Sequence, residues 1–431
     1  MEKMDSFSAA AASSLSTPAL SLCKFDEDTL REIFIRLPIE SIFRFSCVSK
    51  QCLSFTADSR SMARKRNSFT PLVPWGFFYE YCYGGLKFVA PNNQSRFLQN
   101  YDGFCFSFLP SKICDCGFVA TFDSNLVECP LKKKDHEYIA ILAASSSLVL
   151  CALVNVYDWE KKTYYICNPL TQQYVTIPHN QYADKIVIQG LVCQSDPCSS
   201  QLTPASYKVF FVPAFCTSSR TFELEIYCSD LGRWNSFEVT SSEEITWDGM
   251  QCKDIVTHNG ISCWIVEGNR VIAYDLNIEN HEIEDSHQCR LINLPEISGP
   301  NRHFECFGES GGLLSYSRCH EGMLQNWVLN EEEYKIGSWV WQLVNSSNVT
   351  DILLDEDCQD ERVRELFSTG NMVYDLEPLA FTQVEPDTMI LGYDAKFIFA
   401  YSIKTRILRV VTGEYIQWVS PFVVAPWPTP V

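Results

Sequence analysis

The spacing of apolar residues along the chain changes near residue 67. Before that point, apolar residues recur at the i, i+3, i+4 and i+7 positions of one helical face: Leu30, Ile33, Phe34 and Leu37. This spacing predicts an amphipathic helix that turns the face inward, and Pro38 follows it as a stop signal. Further apolar sets around Ile42 and Leu53 predict two more short helices. We therefore expect residues 23–66 to form a small three-helix domain.

The predicted helical domain carries more apolar surface than its own core can use. Ile35, Ile39 and Phe43 lie outside the inward face, and a unit of about 40 residues buries little surface when it folds. Surplus apolar surface on so small a domain indicates a docking face for a partner. The alternative is that the segment packs on the following domain as an N-terminal cap.

The pattern after residue 67 is that of β-strands. Short runs rich in Val, Ile, Tyr and Phe are separated by polar or glycine-containing turns, as at 138–144, 207–212, 221–228, 271–276 and 397–403. An aromatic-led strand, a polar turn and a second strand that ends near Trp or Pro recur at intervals of about 50 residues, which is typical of four-stranded blades. We therefore expect residues 67–420 to form a large all-β domain, an irregular β-propeller.

Two short segments flank these domains. Residues 1–22 are rich in Ala and Ser and lack the basic start and continuous apolar stretch of a secretory signal, so we expect a disordered leader. Residues 421–431 are expected to form a proline-rich tail. No apolar run reaches the ~18 residues of a membrane span, so no membrane association is expected. The expected location is the cytoplasm, the nucleus or both.

Acidic residues outnumber basic ones by 53 to 34, which gives a net charge of −19. Proteins that bind nucleic acid by neutralising phosphate need the opposite balance, so we expect no nucleic-acid partner. The charge is also uneven, because residues 1–70 have a net charge of +2 and the rest of the chain has −21. An acidic β domain would favour basic partners.

The chain contains 20 cysteines, without a repeating spacing. Several lie within apolar runs, as Cys151 and Cys263 do, where a thiol acts as a small buried hydrophobe. Zinc sites need thiolates or imidazoles in pairs at short spacing, and Cys114 and Cys116 are too close together for such a pair. We therefore expect reduced structural thiols, with no metal and no cofactor.

Three short motifs follow one another in the sequence of the helical domain: Glu32-Ile33-Phe34, Arg36-Leu37-Pro38 and Val48-Ser49-Lys50. In this arrangement residues 23–66 resemble an F-box. In that family the helices bind the Skp adaptor of cullin–RING ubiquitin ligases. The resemblance implies seven adaptor-binding residues: Leu30, Ile33, Leu37, Pro38, Val48, Ser49 and Lys50.

A series of short motifs runs along the β domain: Asn168-Pro169-Leu170-Thr171, Tyr207-Lys208-Val209, Ser229-Asp230 before Gly232 and Trp234, and Glu309-Ser310-Gly311-Gly312-Leu313. In this order they resemble the kelch-like F-box-associated domain of large plant families. Ser147 departs from that pattern, since the family usually has a glycine at this position. Together the two halves resemble a plant-type F-box protein with a C-terminal β-propeller.

The resemblance implies the substrate-recognition subunit of an SCF-type (Skp–cullin–F-box) E3 ubiquitin ligase. The F-box would dock on a Skp-type adaptor and through it on a cullin, and the β domain would bind a client protein for ubiquitination. The sequence contains no G-x-S-x-G, P-loop or H-E-x-x-H motif. We therefore expect a specificity subunit that is not itself an enzyme.

Two departures from the F-box pattern leave a second function open. Phe25 and Asp26 replace the opening Leu-Pro of the motif, and Cys52 replaces its closing tryptophan. A degenerate F-box would leave a β-propeller that acts as an interaction scaffold, independent of the ligase.

Overall fold

The structure of the protein is a computed structural model, whose described residues include three helices of defined length and 24 strands; residues 41–42 and 45 are also helical. The helices are α1 (Glu27–Arg36), α2 (Val349–Leu354) and α3 (Glu361–Phe367). The described residues are 27–37, 41–42, 45, 75–81, 85–90, 137–145, 147–155, 158–180, 187–194, 206–213, 215–247, 255–258, 260–266, 269–276, 287–295, 304–330, 339–355, 361–367, 376–394, 397–413 and 416–423.

The described strands form six sheets, numbered here in chain order. Sheet 1 contains β1 (Trp75–Tyr81), β2 (Gly85–Val89) and the last strand, β24 (Ile416–Val423). Sheet 2 contains β3 (Glu137–Ser145), β4 (Leu148–Asn155), β5 (Asp158–Asn168) and β6 (Gln173–Thr176). Sheet 3 contains β7 (Val187–Gln194), β8 (Ser206–Pro213), β9 (Phe215–Cys228), β10 (Arg233–Trp247) and β14 (His287–Gln288).

The remaining three sheets have four strands each. Sheet 4 contains β11 (Ile255–His258), β12 (Ile261–Val266), β13 (Arg270–Asp275) and β15 (Arg290–Asn293). Sheet 5 contains β16 (Phe304–Ser310), β17 (Leu313–His320), β18 (Met323–Leu329) and β19 (Trp341–Asn348). Sheet 6 contains β20 (Glu377–Phe381), β21 (Thr388–Tyr393), β22 (Phe397–Ser402) and β23 (Leu408–Thr412).

The sheets are arranged as a closed ring. One strand of each sheet packs against the corresponding strands of both neighbouring sheets, in the order β24, β3, β7, β11, β16, β20 and back to β24. We call these the inner strands. Sheet 1 closes the ring by pairing β1 with β24, so that Trp75 lies opposite Val423. The described strands therefore form a six-bladed β-propeller.

Hydrophobic clusters lie between the sheets. Phe78 and Phe422 of sheet 1 pack with Cys151 of sheet 2, and Trp75 of sheet 1 packs with Ile390 of sheet 6. Similar clusters occupy the other four interfaces around the ring. Strands between two such clusters are buried on both faces, which explains why they read as continuous apolar runs rather than as alternating ones.

A helical connection links sheets 5 and 6. The side chain of Asn348 caps α2 by accepting a hydrogen bond from the backbone N of Thr350 at 2.8 Å. α2 buries Ile352 and Leu353, and α3 adds Val363 to the same cluster. The sequence pattern did not predict these two helices, because they have only six and seven residues.

The predicted all-β domain is confirmed, and its blade number is now defined. α1 occupies the position of the first predicted helix, whereas the second and third predicted helices lie mostly outside the described residues. β24 continues to Val423, past the predicted domain end at residue 420, because Phe422 is buried between sheets 1 and 2. The predicted leader 1–22 lies outside the described residues.

Candidate functional site

Few apolar side chains are buried among the described residues of α1 and of the segment directly after it. Phe34 is only 5% exposed, and Ile42 is completely buried. The ring of Phe34 meets the ring of Phe45 edge to face, with 5.7 Å between the centroids. Glu32 and Arg36 form an i,i+4 ion pair at 3.6 Å on the solvent side, which supports the helix by a few tenths of a kcal/mol.

Three predicted adaptor-binding residues lie on α1 or directly after it, and none of them is fully buried. Ile33 is 42% exposed, and Leu30 and Leu37 are half-buried. The prediction that Ile33 faces inward is therefore wrong. Successive helical residues are about 100° apart, so Ile33 and Phe34 lie at opposite edges of the apolar face, and burying Phe34 leaves Ile33 outside. The other four predicted residues lie outside the described part of the chain: Pro38, Val48, Ser49 and Lys50.

A second candidate site lies on the propeller axis. All six inner strands contribute to the lining of a cavity of about 140 Å³. The lining includes the last residues of β3 and β24 and reaches Gln383, an exposed residue in the loop that follows β20. The cavity therefore opens on the side of the ring where the inner strands end in their hairpin turns. We call this side the hairpin face; its described residues are 145, 147–148, 258, 260–261, 310–313 and 382–387.

A carboxylate and an imidazole lie beside this opening. The Oε1 atom of Glu309, in β16, is 3.7 Å from the Nδ1 atom of His258, at the end of β11. The side chain of His258 is 10% exposed and that of Glu309 is 20% exposed. Glu309 lines the cavity and places a negative charge in a partly desolvated position, where an electrostatic contact is stronger than on the open surface.

Hydrogen bonds between sheets hold the wall of the cavity. The backbone N of Cys193 donates to the Oγ atom of Ser145 at 3.4 Å, and the Cys193 thiol donates to the Ser145 carbonyl oxygen at 3.2 Å. Burial raises the pKa of Cys193 to about 12. This thiol is therefore protonated at neutral pH and is a poor nucleophile.

Other buried acids in the propeller are also held in their neutral form. Burial raises the pKa of the Cys263 thiol to about 12. Burial, followed by the charge of Glu305, raises the pKa of Tyr316 well above its usual value, and its hydroxyl donates to Glu305 Oε2 at 2.8 Å. Within the part of the chain that the structure describes, no three His, Cys, Asp or Glu residues are grouped as a metal site would need.

Membrane-spanning helices are not found among the described helices, none of which is long and apolar enough to cross a bilayer.

Two protein families match the chain. The family described as "F-box protein At3g26010-like, beta-propeller" matches residues 121–358. The F-box domain matches residues 22–63. The chain belongs to the At3g26010-like family of F-box β-propeller proteins.

Relatives of this F-box protein occur in Arabidopsis thaliana. F-box protein At5g49610 is 24% identical over 336 residues, which cover 75% of this chain and 78% of the relative. F-box protein At5g03970 is 23% identical over 393 residues, which cover 89% of this chain and 82% of the relative. These matches name no kelch relationship, so that part of the sequence resemblance stays a prediction.

A chain in the solved crystal structure of a mitotic checkpoint complex has 10% sequence identity and a TM-score of 0.32 to this F-box protein, over 71% of this chain and 76% of that chain. This likeness is too low to support an inference.

The sequence did not single out the residues at the mouth of the cavity. In the sequence, Glu309 lies within a family motif, and no pattern distinguishes His258 or Gln383 from other polar residues. These residues come from β16, β11 and the loop after β20, and only closure of the ring brings them to one opening. The predicted adaptor-binding residues and the cavity belong to different domains of the F-box protein.

Proposed function

We propose that this F-box protein is the substrate-recognition subunit of an SCF-type E3 ubiquitin ligase. In this proposal the F-box docks on a Skp-type adaptor, which connects it to a cullin, and the propeller binds the client protein. The observation that carries the proposal is the exposure of Ile33 on α1, while its neighbour Phe34 fills the interior of the matched F-box domain.

The edge of α1 that carries Ile33 is suited to a partner because it exposes an aliphatic side chain beside the charged Glu32 and Arg36. Each Å² of apolar surface removed from water contributes about 25 cal/mol, so covering Ile33 with a partner's apolar side chains would favour binding. Leu30 and Leu37 are half-buried and would extend the same surface. Pro38 and the Val48, Ser49 and Lys50 group would complete the adaptor contact by analogy with the F-box motif.

The propeller is suited to client binding because its loops can vary without disturbing the sheets that carry them. A client held on the propeller would experience a raised effective concentration of the ubiquitin-charged enzyme that the cullin recruits. Bond formation would then belong to other subunits, and this chain would contribute proximity and selectivity.

Co-purification with a Skp-type adaptor tests the proposal. The full chain should recover the adaptor in a one-to-one complex, and a chain that lacks residues 23–66 should recover none. The deletion variant must retain the cooperative unfolding transition of the propeller, so that loss of binding can be assigned to the F-box. Absence of a complex with the folded full chain would contradict the proposal.

A second candidate function follows from the departures at Phe25, Asp26 and Cys52. If these residues abolish adaptor binding, the propeller would act as an interaction scaffold outside the ligase. Restoring tryptophan in the Cys52→Trp variant would then create adaptor binding that the natural chain lacks. A natural chain that already binds the adaptor would refute this alternative.

A further inference from the structure

We infer that the mouth of the axial cavity on the hairpin face binds a lysine or arginine side chain of the client protein. The inference rests on the proposed function, since it specifies the chemistry of the client that the propeller would recognise.

The size of the cavity restricts what can enter it. A cavity of about 150 Å³ holds one benzene molecule, whereas sites for drug-sized ligands and cofactors measure about 300–1,000 Å³. The axial cavity, with about 140 Å³, belongs to the first class. It therefore has room for one amino-acid side chain and is too small for an organic cofactor.

The charge at the mouth selects a cation. Glu309 is the one formally charged side chain among the described residues that line the cavity. Its contact with His258 is 3.7 Å long, which exceeds a hydrogen bond and leaves the carboxylate oxygens able to accept from a ligand. Lys208, a buried lysine of sheet 3, donates to the carbonyl oxygen of Leu276 at 2.8 Å and does not line the cavity.

The loop at the opening adds to this preference. Gln383 offers an amide oxygen at the rim, and Glu385 and Asp387 follow in the same loop. The chain beyond residue 70 carries a net charge of −21, so its long-range field also attracts cations. A guanidinium or ammonium group at this opening would meet one carboxylate and several neutral oxygen acceptors.

The opening is fixed before any ligand arrives. The Oγ1 atom of Thr382 donates to the carbonyl oxygen of Glu385, and the Oγ atom of Ser310 donates to that of Pro386. The indole nitrogen of Trp75 donates to Glu385 Oε1 at 3.2 Å, which ties the same loop to sheet 1. A rim that is already ordered loses little conformational entropy when it binds, so even a single inserted side chain can contribute to affinity.

Selection from a display library of short random peptides on the purified full chain tests the inference. The natural protein should enrich peptides that contain Lys or Arg. The best of these peptides should bind the Glu309→Gln variant about tenfold to a hundredfold more weakly, as loss of a charge-assisted hydrogen bond requires. The matched control is Glu238→Gln, which removes the same charge from an exposed position on β10 and should leave the affinity unchanged.

A variant that gains affinity distinguishes a specific effect from a loss of peptide binding caused by misfolding. Gln383→Glu places a second carboxylate at the rim and should strengthen binding of the same peptide. The inference is overturned if the folded natural chain enriches no basic peptides, or if Glu309→Gln binds the selected peptide as well as the natural chain does.

The adaptor assay on the same preparations separates the two proposals. Peptide binding that depends on Glu309, in a chain that does not bind the adaptor, would support the cavity site and refute the ligase role. Adaptor binding without any dependence of peptide binding on Glu309 would refute the cavity site alone.

Discussion

The indole nitrogen of Trp234 donates a hydrogen bond to the carbonyl oxygen of Pro178 across the boundary between sheets 3 and 2, at 2.7 Å. Trp341 repeats this arrangement between sheets 5 and 4, where its indole nitrogen donates to the carbonyl oxygen of Asn293 at 2.9 Å. In each case a tryptophan in the first two residues of a fourth strand reaches the end of the fourth strand of the preceding sheet: Asn293 is the last residue of β15, and Pro178 lies two residues after β6. This repetition gives a physical reason for the recurring Trp in the sequence.

Trp234→Phe is expected to keep the tilted ring contact with Phe211, whose centroid is 4.9 Å away, and to lose the hydrogen bond to Pro178. The free energy of unfolding should fall by about 1 kcal/mol, the usual net value of one such bond. Urea unfolding of the two proteins measures this difference. Trp341→Phe should show a similar loss, and equal stability of all three proteins would show that the inter-sheet bonds contribute nothing.

Gly190 is expected to tolerate no side chain. It pairs with Phe210 across β7 and β8, and a Cβ atom at Gly190 would lie 2.1 Å from Cζ of the Phe210 ring. Gly190→Ala should therefore reduce the free energy of unfolding by about 1–3 kcal/mol. At Gly413, which is exposed and whose added Cβ would meet Phe397 only at 3.3 Å, alanine should cost much less.

A double-mutant cycle checks the cause of this effect. If the ring of Phe210 is what excludes a methyl group at Gly190, Phe210→Leu should cost less in the Gly190→Ala background than in the natural chain. If the losses of stability from the two substitutions simply add, the strain caused by Gly190→Ala does not come from the Phe210 ring.

Ser147 adopts a backbone φ of 70°, in the left-handed region, at the position where the sequence resemblance called for glycine. Its backbone N also donates to the carbonyl oxygen of Val423 at 3.1 Å, which ties the turn to sheet 1. Ser147→Gly should be more stable than Ser147→Ala by about 1 kcal/mol, because glycine adopts this φ without steric cost. Comparing the two variants removes the hydroxyl from both, so thermal unfolding isolates the backbone effect. Equal stability would contradict it.

Alkaline pH should weaken the fold through its buried thiols. Burial raises the pKa of Cys263 from 9.0 to about 12. The folded state therefore holds its proton more tightly than the unfolded state does, and this contribution to stability is present below pH 9 and is lost between about pH 9 and pH 12. Between pH 8 and pH 10 the loss from one thiol amounts to about 1.4 kcal/mol.

Cys263→Ala tests this contribution. Alanine does not titrate, so the stability difference between the natural chain and the variant should shrink by that amount between the two pH values. Urea unfolding of both proteins at pH 8 and pH 10 measures it. A difference that stays constant would show that the pKa of Cys263 is not higher in the folded state than in the unfolded state.

The propeller could be predicted from the sequence because many of its strands, such as β8, β13 and β22, are short apolar runs bounded by turn residues. Asn168 shows how local this information is, since its side-chain oxygen accepts from the backbone N of Leu170 at 3.0 Å and of Thr171 at 3.3 Å. The blade number could not be predicted, because sheet 1 joins β1 and β24 from opposite ends of the β domain. The exposure of Ile33 could not be predicted for a related reason: periodicity defines an apolar face, and the contact of Phe34 with Phe45 decides which edge of it is buried.

The cavity could not be predicted because its lining depends on the closed ring. Glu309 and His258 lie in neighbouring blades and are far apart in the sequence. Their side chains come close only because β11 and β16 lie side by side. In the sequence, Glu309 is one acidic residue among 53 acidic residues. Only the structure distinguishes it, by placing it at the wall of the axial cavity.

The affinity of the full chain for a purified Skp-type adaptor, measured for the Ile33→Asp variant, tests the central claim most directly. Tyr174→Asp is the matched control, because Tyr174 is 38% exposed on the propeller and Ile33 is 42% exposed on α1. An aspartate at Ile33 would place a charge in an apolar contact, so we expect adaptor binding to weaken at least about a hundredfold while the control binds as the natural chain does. Equal binding by the two folded variants would contradict the account.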